Sequence, residues 1–176
     1  MAQLTLVLGG MRSGKSRFAE ELAHTSPPVT YLATAQSGDS EMSERIARHR
    51  QRRLECRPTW QCVEEPRYIV DAIRSHGTAG CVLLECLTLW ISNRLLAANP
   101  GVSDAEVLAE VDAVIEAAST VGGRVIVVSS EVGSGIIPVQ ALARRFGDLL
   151  GEANQRLAAA AAEVHLCVAG IPVRIK

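Results

Sequence analysis

Short apolar runs alternate with amphipathic stretches along the chain. Four of the runs are continuous and apolar, which is typical of strands buried on both faces of a sheet. They are Leu4–Leu8, Val29–Ala33, Cys81–Cys86 and Arg124–Ser129. A shorter strand is predicted at Trp60–Val63. The chain closes with two short apolar runs on either side of Gly170, which predict a further strand and a final antiparallel edge strand.

The stretches between these runs carry apolar residues at the 3.6-residue spacing of amphipathic helices. Helices are predicted over 16–25, 41–53, 88–98, the stretch that follows Ser103, and 139–162. Ser103 and Glu106 have the spacing of a capping box, which marks the start of the fourth of these helices. Alternating strands and helices predict βαβ units, and therefore one α/β domain over 1–176 with a mostly parallel sheet of about seven strands flanked by helices.

Composition and charge narrow the class of protein. The chain has 176 residues, of which 48% are hydrophobic and 21% charged, as in a soluble globular protein with a sizeable core. Its net charge of −1 argues against a general nucleic-acid binder. The start lacks the basic region of a signal peptide, and no apolar run reaches the roughly 18 residues of a membrane span. Five cysteines without a C-x-x-C pair indicate free thiols in a reducing cytoplasm.

The segment GGMRSGKS matches the phosphate-loop pattern G-x-x-x-x-G-K-[ST] and lies between a predicted strand and a predicted helix, as that pattern requires. Backbone N–H groups of such a loop, together with the helix N-terminus, bind phosphate groups. We expect Lys15 to contact the β- and γ-phosphates and the Ser16 hydroxyl to bind Mg²⁺. The sequence therefore predicts a nucleoside triphosphate site formed by Gly9, Gly10, Met11, Arg12, Ser13, Gly14, Lys15 and Ser16.

One acidic residue, Glu85, stands near the end of a predicted buried strand. The carboxyl edge of a parallel sheet is where α/β folds bind ligands, so we expect Glu85 to be a second ligand of Mg²⁺. A structural ion pair is the alternative. Glu85 and Glu131, each at a predicted strand end, are also the candidates for a general base.

The segment RIARHRQRR, residues 45–53, contains five arginines and His49 but no acidic residue. Three interpretations fit it: a nucleic-acid or nuclear-import patch, a solvated helix face, or a cradle for a polyanion around a reactive imidazole. One stripe of a helix over 41–53 would hold Met42, Ile46, His49 and Arg53. Guanidinium groups beside His49 would lower its pKa and favour the neutral, nucleophilic form. Taken alone, these residues favour the solvated helix face.

The other three histidines are weaker candidates for a reactive imidazole. His24 lies late in the first predicted helix and His76 precedes a glycine-containing turn, so both are expected to be solvated. His165 lies in an apolar strand pattern and is expected to be structural.

Six segments, in this order, resemble those of the bifunctional adenosylcobinamide kinase / adenosylcobinamide-phosphate guanylyltransferase family. They are GGMRSGKS, YLATAQ, EMSERIARHRQRR, VLLECLTLWISN, SSEVGSGIIP and the closing stretch from RRFGDLLGEANQR to VAGIPVRIK. The resemblance covers essentially the whole chain. It implies a P-loop NTPase (RecA-like) fold, a cytoplasmic homo-oligomer that is a trimer, and a requirement for Mg²⁺.

The resemblance implies two reactions. GTP or ATP phosphorylates the aminopropanol hydroxyl of adenosylcobinamide, and GMP from GTP is then transferred through a guanylylated histidine to give adenosylcobinamide-GDP. The histidine carries over to His49. Nucleotide contacts beyond the phosphate loop carry over to Thr34, Ala35, Gln36, Arg50, Gln51, Arg52, Arg53, Glu64 and Glu85.

The chain departs from the family pattern at two places. The stretch from Arg50 to Trp60 is a few residues longer than in the family, which affects the match of Glu64, and Ser130 stands where many members have asparagine. Two other functions stay open at this point: a monofunctional P-loop kinase of small molecules, and a nucleotide-gated binding protein without chemistry of its own.

Overall fold

The computed structural model describes residues 3–36, 44, 47, 51, 57, 59–97 and 101–176. Within these residues the chain forms seven strands and five continuous helices. The strands are β1 (Gln3–Gly9), β2 (Val29–Ala33), β3 (Gln61–Glu64), β4 (Cys81–Glu85), β5 (Arg124–Val128), β6 (Glu163–Val168) and β7 (Ile171–Arg174). The helices are α1 (Lys15–His24), α2 (Ile69–His76), α3 (Leu87–Leu96), α4 (Asp104–Thr120) and α5 (Ala141–Ala160).

All seven strands lie in one sheet, in the order β3-β2-β4-β5-β1-β6-β7. The first six are parallel, and β7 pairs with β6 in the antiparallel direction. The predicted parallel sheet with an antiparallel C-terminal edge strand is therefore confirmed. The register aligns Ala33 with Glu85 and Glu85 with Val128, so the carboxyl ends of the central strands meet at one edge.

Helices cover both faces of the sheet. Neighbouring residues of a strand point to opposite faces. In β1, Leu6 belongs to the hydrophobic cluster that includes side chains of α2, α3, α4 and α5, and Val7 belongs to the cluster that includes side chains of α1. Both side chains are completely buried. Burial on both faces explains why the central strands are continuous apolar runs rather than alternating ones.

Element boundaries lie close to their predicted positions, as the ends of elements often do. The first helix starts at Lys15 instead of residue 16, α5 is shorter than 139–162, and β3 lies one residue later than Trp60–Val63. The predicted capping box is present, because Ser103 Oγ accepts from Glu106 N at 3.3 Å and Glu106 Oε2 accepts from Ser103 N at 2.8 Å. Among the described residues no helix is long and apolar enough to cross a membrane.

The sequence pattern does not predict α2. This helix has only eight residues, and no side chain caps its first turn. Its position depends on tertiary contacts instead, since Ile69 and Ile73 are fully buried. The turn before it is closed by Glu65 Oε1, which accepts from the N–H groups of Arg67 and Tyr68, both at 2.9 Å.

The helix predicted over 41–53 lies mostly outside the described residues. Three of its residues, Glu44, Ala47 and Gln51, are described, and all three are helical and exposed. They support the predicted helix at those positions.

Because some of its thiols are buried, the free energy of unfolding of the protein should depend on pH in the alkaline range. Burial raises the pKa of Cys81 from its usual value of 9.0 to about 12, with a smaller opposing effect of Arg124. A thiol with a raised pKa in the folded state stabilises the fold fully below pH 9, and that contribution disappears as the pH rises toward 12. We expect the free energy of unfolding to fall over this window, by about 4 kcal/mol for Cys81.

Urea denaturation between pH 8 and the alkaline limit of reversibility measures this effect. Cys81→Ala should flatten the decline, whereas Cys62→Ala, which removes an exposed thiol, should leave it as in the wild type. An identical decline in wild type and Cys81→Ala would contradict the assignment to Cys81.

Candidate functional site

The predicted phosphate loop turns tightly between β1 and α1. Gly14 has φ 92°, in the left-handed region that glycine adopts without strain, and a Cβ there would lie 2.9 Å from Gly170 Cα. Ser13 N donates to Gly10 O at 3.3 Å, and Lys15 Nζ donates to the same carbonyl at 3.1 Å. The loop thus precedes the N-terminus of α1 directly, an arrangement that binds phosphate groups.

Two segments from distant parts of the sequence hold this loop in place. The carbonyl of Gly9 accepts from Glu131 N at 3.1 Å, on the side of β5. The carbonyl of Ser13 accepts from Gly170 N at 2.8 Å, in the turn between β6 and β7. A Cβ at Gly9 would collide with Ser13 Oγ, so the loop is tightly packed as well as hydrogen-bonded.

Ser16 and Glu85 meet across this edge of the sheet. The Ser16 hydroxyl, in the first turn of α1, donates to Glu85 Oε1 at 2.6 Å, and both residues are partly buried. A hydroxyl and a carboxylate are oxygen donors of the kind Mg²⁺ prefers, and Mg²⁺ commonly takes one or two protein ligands, with phosphates and water completing its shell. The two residues therefore fit the predicted metal. No cluster of three or more His, Cys, Asp or Glu side chains suited to a metal ion occurs among the described residues.

The segment after β2 starts beside Glu85. Thr34 is completely buried, and its hydroxyl donates to Cys86 O at 2.7 Å and accepts from Cys86 N at 2.8 Å. Its backbone N–H donates to Glu85 O at 3.0 Å. Ala35 is half-buried and Gln36 is exposed. Of the residues predicted in the YLATAQ segment, Thr34 therefore lies next to Glu85, the partner of Ser16.

Cys86 lies in the same neighbourhood. Its thiol is buried, and burial, reinforced by the charge of Glu85, raises its pKa to about 11. The charge of Lys15 acts on it in the opposite direction. The thiol therefore stays protonated at neutral pH and contributes packing rather than charge to this edge.

Thr88 and Asn154 also support the site, and sequence reasoning does not predict either as a site residue. Thr88 Oγ1 accepts from Ser130 N at 2.7 Å, and Asn154 Nδ2 donates to Ser130 O at 3.1 Å. Both fix the backbone of Ser130, which precedes the Glu131 N–H bound to the phosphate loop. No sequence pattern marks Thr88 or Asn154 as a site residue, because the groups they bind are backbone groups, which every residue type carries.

Glu64 lies apart from the phosphate loop. It is exposed at the end of β3, the first strand in the sheet order, whereas the loop follows β1, the fifth. At about 4.8 Å per strand, four strand positions separate the two by on the order of 19 Å. The structure therefore places Glu64 beside the end of β2, where its register partner is Ala33, and not beside Gly9–Ser16.

Of the residues predicted in the basic segment, Gln51 is described and is exposed. His49, Arg50, Arg52 and Arg53 lie outside the described residues.

None of the three histidines that the structure describes lies at the carboxyl edge of the sheet. His24 is exposed at the end of α1 and His76 half-buried at the end of α2, and the ends of these helices face the opposite edge. His165 is mostly buried in β6, pairs with Val7 and lies edge-on to Phe18 with ring centroids 5.0 Å apart. His165 is therefore the structural histidine that the sequence predicts.

Comparison with known protein families identifies a match over nearly the whole chain. The family model described as cobinamide kinase / cobinamide phosphate guanyltransferase matches residues 5–175. The bifunctional adenosylcobalamin biosynthesis protein CobP of Pseudomonas aeruginosa is 44% identical over 173 residues, which cover 97% of this chain and 96% of that protein. The bifunctional adenosylcobalamin biosynthesis protein CobU of Escherichia coli is 42% identical and covers 98% and 99%. The CobU protein of Salmonella typhimurium is 41% identical with the same coverage.

Two solved structures share the fold at low sequence identity. The P4 protein from bacteriophage phi13 has a TM-score of 0.51 and 16% identity, and this chain spans about half of it, 53%. The RadB recombinase has a TM-score of 0.51 and 14% identity over 94% of this chain and 74% of that protein. These likenesses confirm the predicted RecA-like P-loop fold and carry no information about substrates.

Proposed function

Because the chain belongs to the family of cobinamide kinases / cobinamide phosphate guanyltransferases, we propose that it phosphorylates adenosylcobinamide and then converts the product to adenosylcobinamide-GDP. The observation that carries this proposal is identity of 41–44% to bifunctional relatives over 97–98% of the chain. The formed phosphate loop, with Ser16 and Glu85 in contact, supplies a site for the triphosphate that both reactions require.

In the kinase step the aminopropanol hydroxyl oxygen bonds to the γ-phosphorus of ATP or GTP. The bond from the γ-phosphorus to its bridging oxygen breaks, and the nucleoside diphosphate leaves. Backbone N–H groups of the loop and the ammonium of Lys15 hold the phosphates, and Mg²⁺ held by Ser16 and Glu85 would neutralise their charge. Glu131 is the candidate to accept the hydroxyl proton, because Glu85 would hold Mg²⁺ together with Ser16, while Glu131 lies beside the loop through its N–H bond to Gly9.

In the guanylyl step a neutral nitrogen of His49 bonds to the α-phosphorus of GTP, and pyrophosphate leaves. A phosphate oxygen of adenosylcobinamide phosphate then attacks the same phosphorus, which releases His49 and forms the diphosphate bridge. Arg50, Arg52 and Arg53 would offset the charge of the phosphates.

Two observations support His49 as this nucleophile. The three described histidines lie away from the carboxyl edge of the sheet. At about 100° per residue, the helix predicted over 41–53 would carry position 49 on the side opposite the exposed residues Glu44, Ala47 and Gln51. That side is the one expected to face the protein.

Incubation with adenosylcobinamide, ATP, GTP and Mg²⁺ tests the whole proposal. We expect mass spectrometry to detect first the phosphate and then the GDP derivative, and we expect α-labelled GTP to leave an acid-labile, alkali-stable label on the protein. Kinase product without protein label would favour the monofunctional kinase. Absence of both products would favour a binding protein without chemistry.

Replacement of Glu85 tests its assignment to Mg²⁺. Glu85→Gln keeps an acceptor for Ser16 but removes the negative charge that attracts the cation. We expect the Mg²⁺ concentration for half-maximal kinase activity to rise by about tenfold or more, since charged contacts are worth about 1.5–3 kcal/mol. Glu21→Gln, an exposed carboxylate on α1, is the matched control. An unchanged Mg²⁺ requirement in Glu85→Gln would show that the carboxylate is not a ligand.

We further propose that the chain forms a homotrimer, the oligomeric state that the family resemblance implies. Three large aliphatic side chains after Glu131 are almost fully exposed: Ile136 (98%), Ile137 (78%) and Val139 (94%). Exposed apolar clusters of this kind mark interaction surfaces. Light scattering should give three times the 18.8 kDa mass of the chain, and a monomer would refute this point.

We also place the reactions in the cytoplasm. Cys62, Cys81, Cys86 and Cys167 are free thiols in the structure, which is the state that a reducing compartment maintains. Fractionation of the cells of origin tests this placement, and recovery of the protein outside the cytoplasm would refute it.

A further inference from the structure

The turn between β6 and β7 approaches the phosphate loop more closely than a side chain would allow. It consists of two residues, Ala169 and Gly170, with φ of 52° and 83°, and it joins the register partners Val168 and Ile171. Positive φ at both central residues is the geometry of a type I′ hairpin turn, in which glycine is favoured. The turn therefore presents bare backbone at Gly170.

Backbone atoms of Gly170 contact the loop at two adjacent residues. Gly170 N donates to Ser13 O at 2.8 Å. A Cβ at Gly14 would lie 2.9 Å from Gly170 Cα, so the two glycines leave no space for a side chain at Gly14. Arg17, in the first turn of α1, donates from Nη2 to Gly170 O at 3.4 Å. The turn is thus bound to the loop and to the helix that follows it.

The contact with Ser13 sets the direction of an N–H group of the loop. The peptide unit between Ser13 and Gly14 is trans and planar, so its C=O and N–H point in opposite directions. Because the C=O points to Gly170, the N–H of Gly14 points away from the hairpin. Arg12 and Gly14 have positive φ, 57° and 92°, with Ser13 between them, an alternation that is typical of anion-binding concavities of successive N–H groups. Gly170 therefore holds one N–H group of such a concavity in its direction.

Burial of apolar surface does not account for the hairpin. All four residues of β7 are exposed, and this strand lies at the end of the sheet beside β6. Its side chains thus add little to the core. The backbone of its turn, in contrast, reaches the loop that the triphosphate requires.

We propose that the turn between β6 and β7 is part of the nucleotide site and that Gly170 is a positioning residue for triphosphate binding, an inference that rests on the proposed function of the phosphate loop. The N–H of Gly170 orients the peptide unit between Ser13 and Gly14. Without this hydrogen bond the N–H of Gly14 is free to turn away from the phosphates, and the affinity for the triphosphate falls.

Replacement of the Ala169–Gly170 amide by an ester removes this N–H and keeps every side chain. The change can be made by joining residues 1–166 to a synthetic peptide of residues 167–176 at Cys167 and refolding the full chain. We expect the Kd for GMP-PNP, a GTP analogue with a nitrogen bridge between its β- and γ-phosphates, to rise by about 3–10-fold in the presence of Mg²⁺, the range of one backbone hydrogen bond. Calorimetric titration, with the ligated all-amide chain as the reference, measures this Kd.

An ester between Arg174 and Ile175 is the matched control. It removes the N–H that donates to Val164 O at 2.8 Å, in the same hairpin but at the end opposite the turn. We expect the reference Kd with this ester, whatever its melting temperature. Equal weakening by the two esters would overturn the inference, because the effect would then follow the stability of the hairpin. The reference Kd in the Ala169–Gly170 ester would overturn it as well.

Gly170→Ala, an expressed variant, decides the question should the ester chain fail to refold. Alanine keeps the N–H, but it rarely adopts φ near 83° and its Cβ would lie 3.3 Å from Arg17 Nη2, so the turn has to shift away from Ser13. We expect the Kd for GMP-PNP to rise, whereas Val173→Ala, which shortens an exposed side chain of β7, should leave it unchanged. An unchanged Kd in Gly170→Ala would overturn the inference.

Lys15→Ala separates this inference from the proposed function. The variant should bind GMP-PNP more weakly than the wild type does, because it lacks the ammonium that meets the phosphates. If the wild type does not bind GMP-PNP, or if Lys15→Ala binds it equally well, the phosphate loop is not the triphosphate site and the proposed function itself fails.

Discussion

His49→Asn is expected to abolish labelling of the protein by α-labelled GTP while the kinase step continues. An amide nitrogen is not a nucleophile, so the covalent step loses its reacting atom, and the loss should reach about 10⁴-fold or more. The kinase step uses the loop between β1 and α1, whose hydrogen bonds involve Gly10, Glu131 and Gly170. The two activities should therefore separate in this single variant.

The measurement is labelling in gel followed by peptide mass spectrometry, with kinase product measured in the same preparation. His24→Asn is the control, because this histidine is exposed at the end of α1, and it should retain both activities. Label that persists in His49→Asn would assign the nucleophile to another residue. Loss of the kinase step as well would mean that the variant is misfolded or that the two sites are not independent.

Lys15→Ala is expected to reduce both reactions, each by about 10²–10³-fold. The ammonium of Lys15 lies 3.1 Å from Gly10 O, within the loop, and it is the point charge that would meet the β- and γ-phosphates. Phosphoryl transfer depends chiefly on positioning and on stabilisation of charge. Removal of this cation would therefore reduce the stabilisation of the negative charge that develops on the leaving group in either step.

This prediction is tested by measuring the rate at which the kinase product forms and the rate at which the protein is labelled, both at saturating nucleotide. Arg74→Ala is the control, since Arg74 is an exposed cation on α2 whose guanidinium lies 3.8 Å from Glu116 Oε2. A Lys15→Ala protein that lost the kinase step but was labelled at the normal rate would show that GTP for guanylylation binds away from the phosphate loop.

Much of the fold could be predicted because its signals are local in sequence. The buried strands are short apolar runs, and the phosphate loop is a contiguous motif between a strand and a helix. The order of the strands in the sheet could not be predicted in this way, because it is not encoded by a local pattern. β3 follows β2 in the chain but lies at the sheet edge, so Glu64 is on the order of 19 Å from β1. Its role in nucleotide binding stays a prediction.

The supporting contacts of the site were beyond the reach of sequence reasoning. Asn93 lies 59 residues from Thr34 and 27 from Pro66 along the chain, and it binds backbone carbonyls, which every residue type provides. The pattern that identified Ser16 and Glu85 depended on their chemistry, and Thr34 was indicated by the family resemblance of its segment. Nothing in the chemistry of Asn93 distinguishes it from other polar residues, and only the folded arrangement reveals its contact with Thr34.

The contact between Ser13 and Gly170 bears on the order in which the protein is made. The phosphate loop is synthesised early, but the strands that flank β1 are β5 and β6, and the turn whose Gly170 N–H binds Ser13 follows β6. Contacts this distant in sequence form only after both partners have been synthesised. A nascent chain that ends before Gly170 contains the complete GGMRSGKS motif and lacks the contact to Ser13, so the phosphate loop acquires its full support only after β6 and the turn that follows it have been synthesised.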